Sequence, residues 1–174
     1  MEVAEKVTAL PPPRASFMEE FDSYWKQMPE KGFFLGLLAG WCLLFEFLGI
    51  SSFNFETTRP SLFLWMYHAW NAPAMDASHG NLIAPVVALL LWVKRKELVA
   101  SLAGPWWPAL ILLGVALLVH VLGFLAQQPR VSIVALFLGL YALVGLTWGW
   151  RAMKASFFPL FLFNSFSTKQ LEMM

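Results

Sequence analysis

The sequence is poor in the residues from which soluble active sites are built. Of its 174 residues, 13% are charged, three are His and one is Cys, where an average soluble domain is about 25% charged. A single Cys excludes an internal disulfide and a thiolate metal cage. Neither sign of charge dominates: 12 Lys and Arg stand against 11 Asp and Glu, for a net charge of +1. That balance excludes a basic nucleic-acid binder, and the scarcity of charge excludes a disordered chain. Apolar residues fill the space instead. The chain is 59% hydrophobic with 16 Phe and 9 Trp, and its mean hydropathy is +0.61. A soluble domain of this size buries only about two-thirds of its unfolded surface, too little to hide so much apolar area. The expected architecture is an all-α, polytopic membrane helix bundle.

Residues 1–31 hold four basic and six acidic groups and cannot lie in hydrocarbon. Pro11-Pro12-Pro13 stiffens a linker. Ser16 then reads as a helix N-cap, with Glu19 placed to close a capping box. Behind it Phe17, Phe21, Tyr24, Trp25 and Met28 recur at helical spacing, which predicts an amphipathic helix over 16–28. That helix lies either on the membrane surface or on its own membrane domain. Its acidic polar face (Glu19, Glu20, Asp22) argues against attraction to anionic lipid.

Four full spans are expected, over about 32–50, 80–93, 106–126 and 131–150. The first is 19 residues long, or about 28 Å of helix, enough for a hydrocarbon core. It lacks the flanks of a cleavable signal. The second is short and stops at Lys94-Arg95-Lys96. Residues 61–70 (SLFLWMYHAW) are too short to cross and read as an interfacial or re-entrant piece. A partial fifth segment, 157–163, gives way to a polar tail at 164–174, so the membrane domain proper is 32–163. Lys and Arg in the short connections assign the sides: nine (Lys6, Arg14, Lys26, Lys31, Lys94, Arg95, Lys96, Arg151, Lys154) alternate with two (Arg59, Arg130). The rule that positive loops stay inside puts the N-terminus and the KRKE loop in the cytoplasm.

Polar groups within or beside the spans are the candidates for chemistry. Asp76-Ala77-Ser78-His79-Gly80-Asn81 is the densest group, at the outer mouth of the second span; it is either a helix start, with Asp76 or Ser78 as cap, or a site. Ser78 and His79 are adjacent, unlike the members of a serine triad, which meet through the fold. His68, Asp76 and His79 have ligand chemistry without a metal-site spacing. Glu46, about 6 Å inside the first span, either pairs with Arg59, His79 or Arg130, snorkels outward, or stays protonated. Cys42, one turn earlier, reads as an inert thiol, and His120 as a helix–helix hydrogen-bond donor in preference to a haem or metal ligand. Gly32, Gly36 and Gly40, like Gly145 and Gly149, repeat every four residues, the spacing of close helix contacts.

The stretch from Asp76 to Leu98, DASHGNLIAPVVALLLWVKRKEL, resembles the exosortase/archaeosortase family, in which a D-x-SHG motif opens a transmembrane helix ending in Trp and a basic cluster. Gly149-Trp150-Arg151 followed by Phe158-Pro159-Leu160-Phe161 is similar to the family's GWR…FPLxF junction. The resemblance covers roughly 32–163 and marks Asp76, Ser78, His79, Gly80, Gly149, Trp150, Arg151, Phe158 and Pro159 as signature residues. It implies a multi-pass membrane cysteine peptidase or transpeptidase that processes exported proteins carrying a C-terminal sorting signal. Its place would be the cytoplasmic (inner) membrane of a prokaryote, and it would need no cofactor or metal. Its nucleophile is a Cys with Arg and His partners, where a thiolate attacks a carbonyl and a cation stabilises the developing charge.

The family's Cys lies after the FPLxF helix, whereas Cys42 precedes the D-x-SHG motif and does not match it. No catalytic residue is therefore expected in this chain, and the polar residues after Phe163 suggest the N-terminal portion of a longer protein. Two other readings compete: a non-catalytic four-helix membrane subunit within a larger complex, and a small-ligand or proton carrier using Glu46, His79 and His120.

Overall fold

A computed structural model describes residues 16–51, 60–71 and 80–172, with backbone alone at 80–81, 83–84, 158–160 and 162–172. Within these residues the regular structure is helical, in the order α1 Phe17–Gln27, α2 Lys31–Leu48, α3 Leu62–Trp70, α4 Gly80–Val93, α5 Arg95–Ala100, α6 Ala109–Leu125 and α7 Pro129–Glu172.

Local chemistry sets these boundaries. Ser16 N–H donates to the Glu19 carboxylate at 2.8 Å, the returning half of the capping box. The Leu62–Trp70 helix starts where the Ser61 hydroxyl accepts from Leu64 N–H at 3.1 Å. Trp106 to Pro108 do not join α6, which begins at Ala109 after the Pro108 N-cap, as expected where proline removes an amide donor. The expected third span is therefore three residues shorter at its start. Helix α7 is two arms, 129–148 and 150–172, meeting at Gly149 with φ +87° and ψ 176°. The second arm runs on through Asn164 to Glu172, so the loss of hydrophobicity after Phe163 marks no helix end.

Among the described residues two helices are long and apolar enough to cross a membrane: Lys31–Leu48, and α7 over Pro129–Phe157. Helix α6 is apolar over 17 residues, and α4, with Pro85 inside it, over 14. The first arm of α7 lies at the centre, since α7 touches α2, α3, α4, α5 and α6. Its contact with α2 is dry and close. Trp41 spreads its indole over Gly139, where any Cβ would overlap the ring, and its Nε1 donates to the Leu136 carbonyl at 3.0 Å. Phe45, Leu62, Ile133 and Leu143 complete the packed centre.

Outside this centre the surface is also apolar. Phe47, Ile111, Leu118 and Leu125 are all more than half exposed, an arrangement that water would oppose and lipid accepts. The glycine ridge on α2 is a correction to the expectation: Gly32, Gly36 and Gly40 have open space above them. Gly145 does support a close contact, since a Cβ there would meet Met153 Sδ and Ala109 Cβ.

Candidate functional site

The helices bring the connections together at two opposite ends. At one end stand α1, the α4–α5 elbow and the Gly149 joint. Arg95 Nη2 meets Glu20 Oε1 at 2.5 Å, and Trp148 Nε1 donates to the Pro29 carbonyl at 3.0 Å. The hydrogen bond to Glu20 is the largest influence on Arg95 and raises its guanidinium pKa above the ordinary value, with burial working against it. Around them Trp92 is ringed by Phe17 at 4.6 Å and Phe21 at 6.1 Å, with the Arg95 guanidinium over its face at 4.5 Å. Of the two placements expected for the amphipathic helix, this is packing on the protein's own membrane domain. Phe17 remains largely exposed despite its contact with Trp92, and so does Met18.

The Gly-Trp-Arg motif is legible here as a built joint. Gly149 adopts a backbone that side chains resist, and a Cβ on it would lie 2.7 Å from the Gly104 carbonyl. Breaking the helix there frees carbonyls, which the neighbouring loop takes up: Ala103 N–H donates to Trp148 O at 3.0 Å and Trp106 N–H to Gly145 O at 3.2 Å. Trp150 then packs against Trp106 at 5.0 Å with the rings tilted by 41°, and Lys154 Nζ lies 5.1 Å above its ring. Arg151 is exposed beside it. The motif thus turns one helix into two and pins the turn with an indole pair. Phe158 and Pro159 lie on the second arm of α7, where the backbone alone is described.

The opposite end carries the polar groups of the spans. The buried Ser61 hydroxyl donates to Glu46 Oε2 at 2.6 Å while capping α3. Ser61 was not singled out from sequence, although Pro60-Ser61 ahead of an apolar run is an N-cap signal. His120 is buried and meets the Leu48 carbonyl through Nε2 at 3.1 Å. A carbonyl only accepts, so this nitrogen carries the proton and the ring ties α6 to the end of α2, as expected. Ser51 Oγ donates to the Phe124 carbonyl at 2.5 Å. Arg130 is exposed near the start of α7. Cys42 is half-buried on α2.

Helices α3 and α4 flank the D-x-SHG segment. Helix α4 is described from Gly80 onward, and Asp76, Ser78 and His79, like Arg59, lie outside the described residues. His68 is exposed on α3 with its ring 5.8 Å from that of Tyr67. Among the described residues no three His, Cys, Asp or Glu side chains gather as metal ligands.

A bundle packed at its centre, apolar on its outside and jointed by glycine and tryptophan is the architecture of an integral membrane protein. The chain belongs to the transmembrane exosortase family, whose family model matches residues 70–167, more than half its length. The matched stretch contains the D-x-SHG motif, Gly149-Trp150-Arg151 and Phe158-Pro159-Leu160-Phe161. No curated protein and no solved structure matches the chain.

Proposed function

We propose that this protein takes part in exosortase-type processing of exported proteins, holding a C-terminal sorting signal against the D-x-SHG segment at the outer face of a prokaryotic inner membrane. The observation that carries this reading is the family match, whose bounds enclose both motif stretches. In this reading α2, α4, α6 and the first arm of α7 are the four crossings, and the end bearing α1 and the Lys94-Arg95-Lys96 stop is cytoplasmic. The charge bias of the connections supports that orientation.

Cys42 is not the nucleophile in this scheme. It sits half-buried within α2 and precedes the D-x-SHG motif in sequence. We assign the chain the binding and positioning part of the processing site. Asp76, Ser78 and His79 would present polar groups to the signal where its hydrophobic helix leaves the bilayer. Arg151 and the Gly149 joint would set the two arms of α7 on the other side.

The test is photocrosslinking from position 78 in membrane vesicles that contain an exported protein with a C-terminal sorting signal. The expected result is an adduct that His79→Ala reduces at least fivefold and that deletion of the signal abolishes. An adduct of equal yield with an unrelated membrane protein would overturn the reading. So would signal cleavage by the reconstituted chain that Cys42→Ala abolishes, since the nucleophile would then lie within α2.

A further inference from the structure

Where α1 folds over the α4–α5 elbow it roofs a cavity of about 420 Å³. Tyr24, Trp25, Trp92, Leu140, Val144 and Trp148 form much of its wall. Arg95 is the one charged lining residue among those described, and it is engaged with Glu20 and with the Trp92 carbonyl. Ser156, also in the wall, spends its hydroxyl on the Met153 carbonyl.

Those engagements decide what the cavity can hold. The volume lies within the range of small-molecule pockets, about 300–1,000 Å³. Left empty, a void of this size would forfeit contacts over its whole lining, and the loss grows with volume. Water is a poor filler, because each molecule needs two to four polar partners and the wall offers almost none. The occupant is therefore apolar. Outside the wall, Leu89 and Val93 on α4 and Met18 on α1 are more than half exposed, so the apolar material at hand is lipid. Tryptophan and tyrosine in the wall suit the headgroup level. Nearby charges pair as Glu20–Arg95, Asp22–Lys26 and Lys94–Glu97, Lys31 is engaged by the Trp25 carbonyl and ring, and Lys96 is exposed beside them, so the apolar wall and not a built headgroup site carries the recognition.

We infer that this cavity is a binding site for one acyl chain of a bilayer phospholipid, recognised by its tail, with α1 as the roof. The site is separate from the D-x-SHG segment and does not depend on the processing role.

The experiment purifies the chain from membranes in mild detergent, washes it, and counts retained phospholipid by native mass spectrometry and by extraction. One phospholipid per chain is expected, with zwitterionic and anionic headgroups held alike. Val144→Trp, which fills the cavity from α7, should lower retention at least fivefold. Val99→Trp, from α5, is the second filling variant should the first fail to fold. Leu118→Trp adds the same bulk on the exposed face of α6 and should retain lipid as the parent does. Equal retention in the filled and the control variants would overturn the proposal, as would retention of anionic lipid alone. A lipid-free dimer that the filling variants break apart would also overturn it, making the cavity a contact between two copies.

Discussion

The indole of Trp41 lies on the backbone of Gly139, and its Nε1 reaches the Leu136 carbonyl three residues away on the same helix. This contact holds α2 to the central helix through shape and a single hydrogen bond. Membrane helices lack a hydrophobic drive to associate, so packing of this kind has to carry the interface.

Gly139→Val should therefore push the ring off the helix. The expected loss is about 1–3 kcal/mol, the usual cost of overpacking, read as a lower midpoint of thermal unfolding in detergent. Trp41→Phe removes the part of the indole that rests on Gly139 together with the hydrogen bond, and should cost about 2–3 kcal/mol.

Gly149→Ala meets two obstacles: a positive φ and the Gly104 carbonyl. A loss of about 1–3 kcal/mol is expected from the backbone conformation alone. The check is the unfolding midpoint together with the quenching of Trp150, which should become more accessible once its contact with Trp106 opens. Unchanged stability would show that the joint is not held as described.

Ser61→Ala removes both the cap of α3 and the donor to Glu46. Together these should cost about 1–2 kcal/mol. Glu46→Gln keeps an acceptor for Ser61 and should be milder. A double-mutant cycle in detergent unfolding should give a coupling clearly different from zero; additive effects would separate the two residues.

Arg95→Gln and Glu20→Gln should each loosen α1 from the elbow. Protease cleavage between α1 and α2 should speed up several-fold in either variant, with no further gain in the double variant. High salt should weaken the parent in the same direction, because the pair is partly exposed and screening acts on it. Equal cleavage rates throughout would mean that Trp92 and its aromatic ring contacts hold α1 unaided.

The helices themselves were readable in advance. The Ser16–Glu19 box and the end of α4 before Lys94 follow from capping chemistry and charge, which act along the chain. The Gly-Trp-Arg motif was visible too, although its meaning as a joint required the positive φ and the loop that answers the freed carbonyls.

Which face of each helix turns inward had to come from the packed bundle. In a soluble protein one face is polar, and periodicity reveals it; in a bilayer lipid and protein core both accept apolar side chains, so the pattern along α2, α6 and α7 carries little preference. Hence Gly32, Gly36 and Gly40 looked like a contact ridge and stand open, while Gly139, outside the glycine repeats, receives Trp41. The Glu46–Ser61 bond and the cavity under α1 have the same origin: each joins segments far apart in the chain, and only three-dimensional packing chooses such partners.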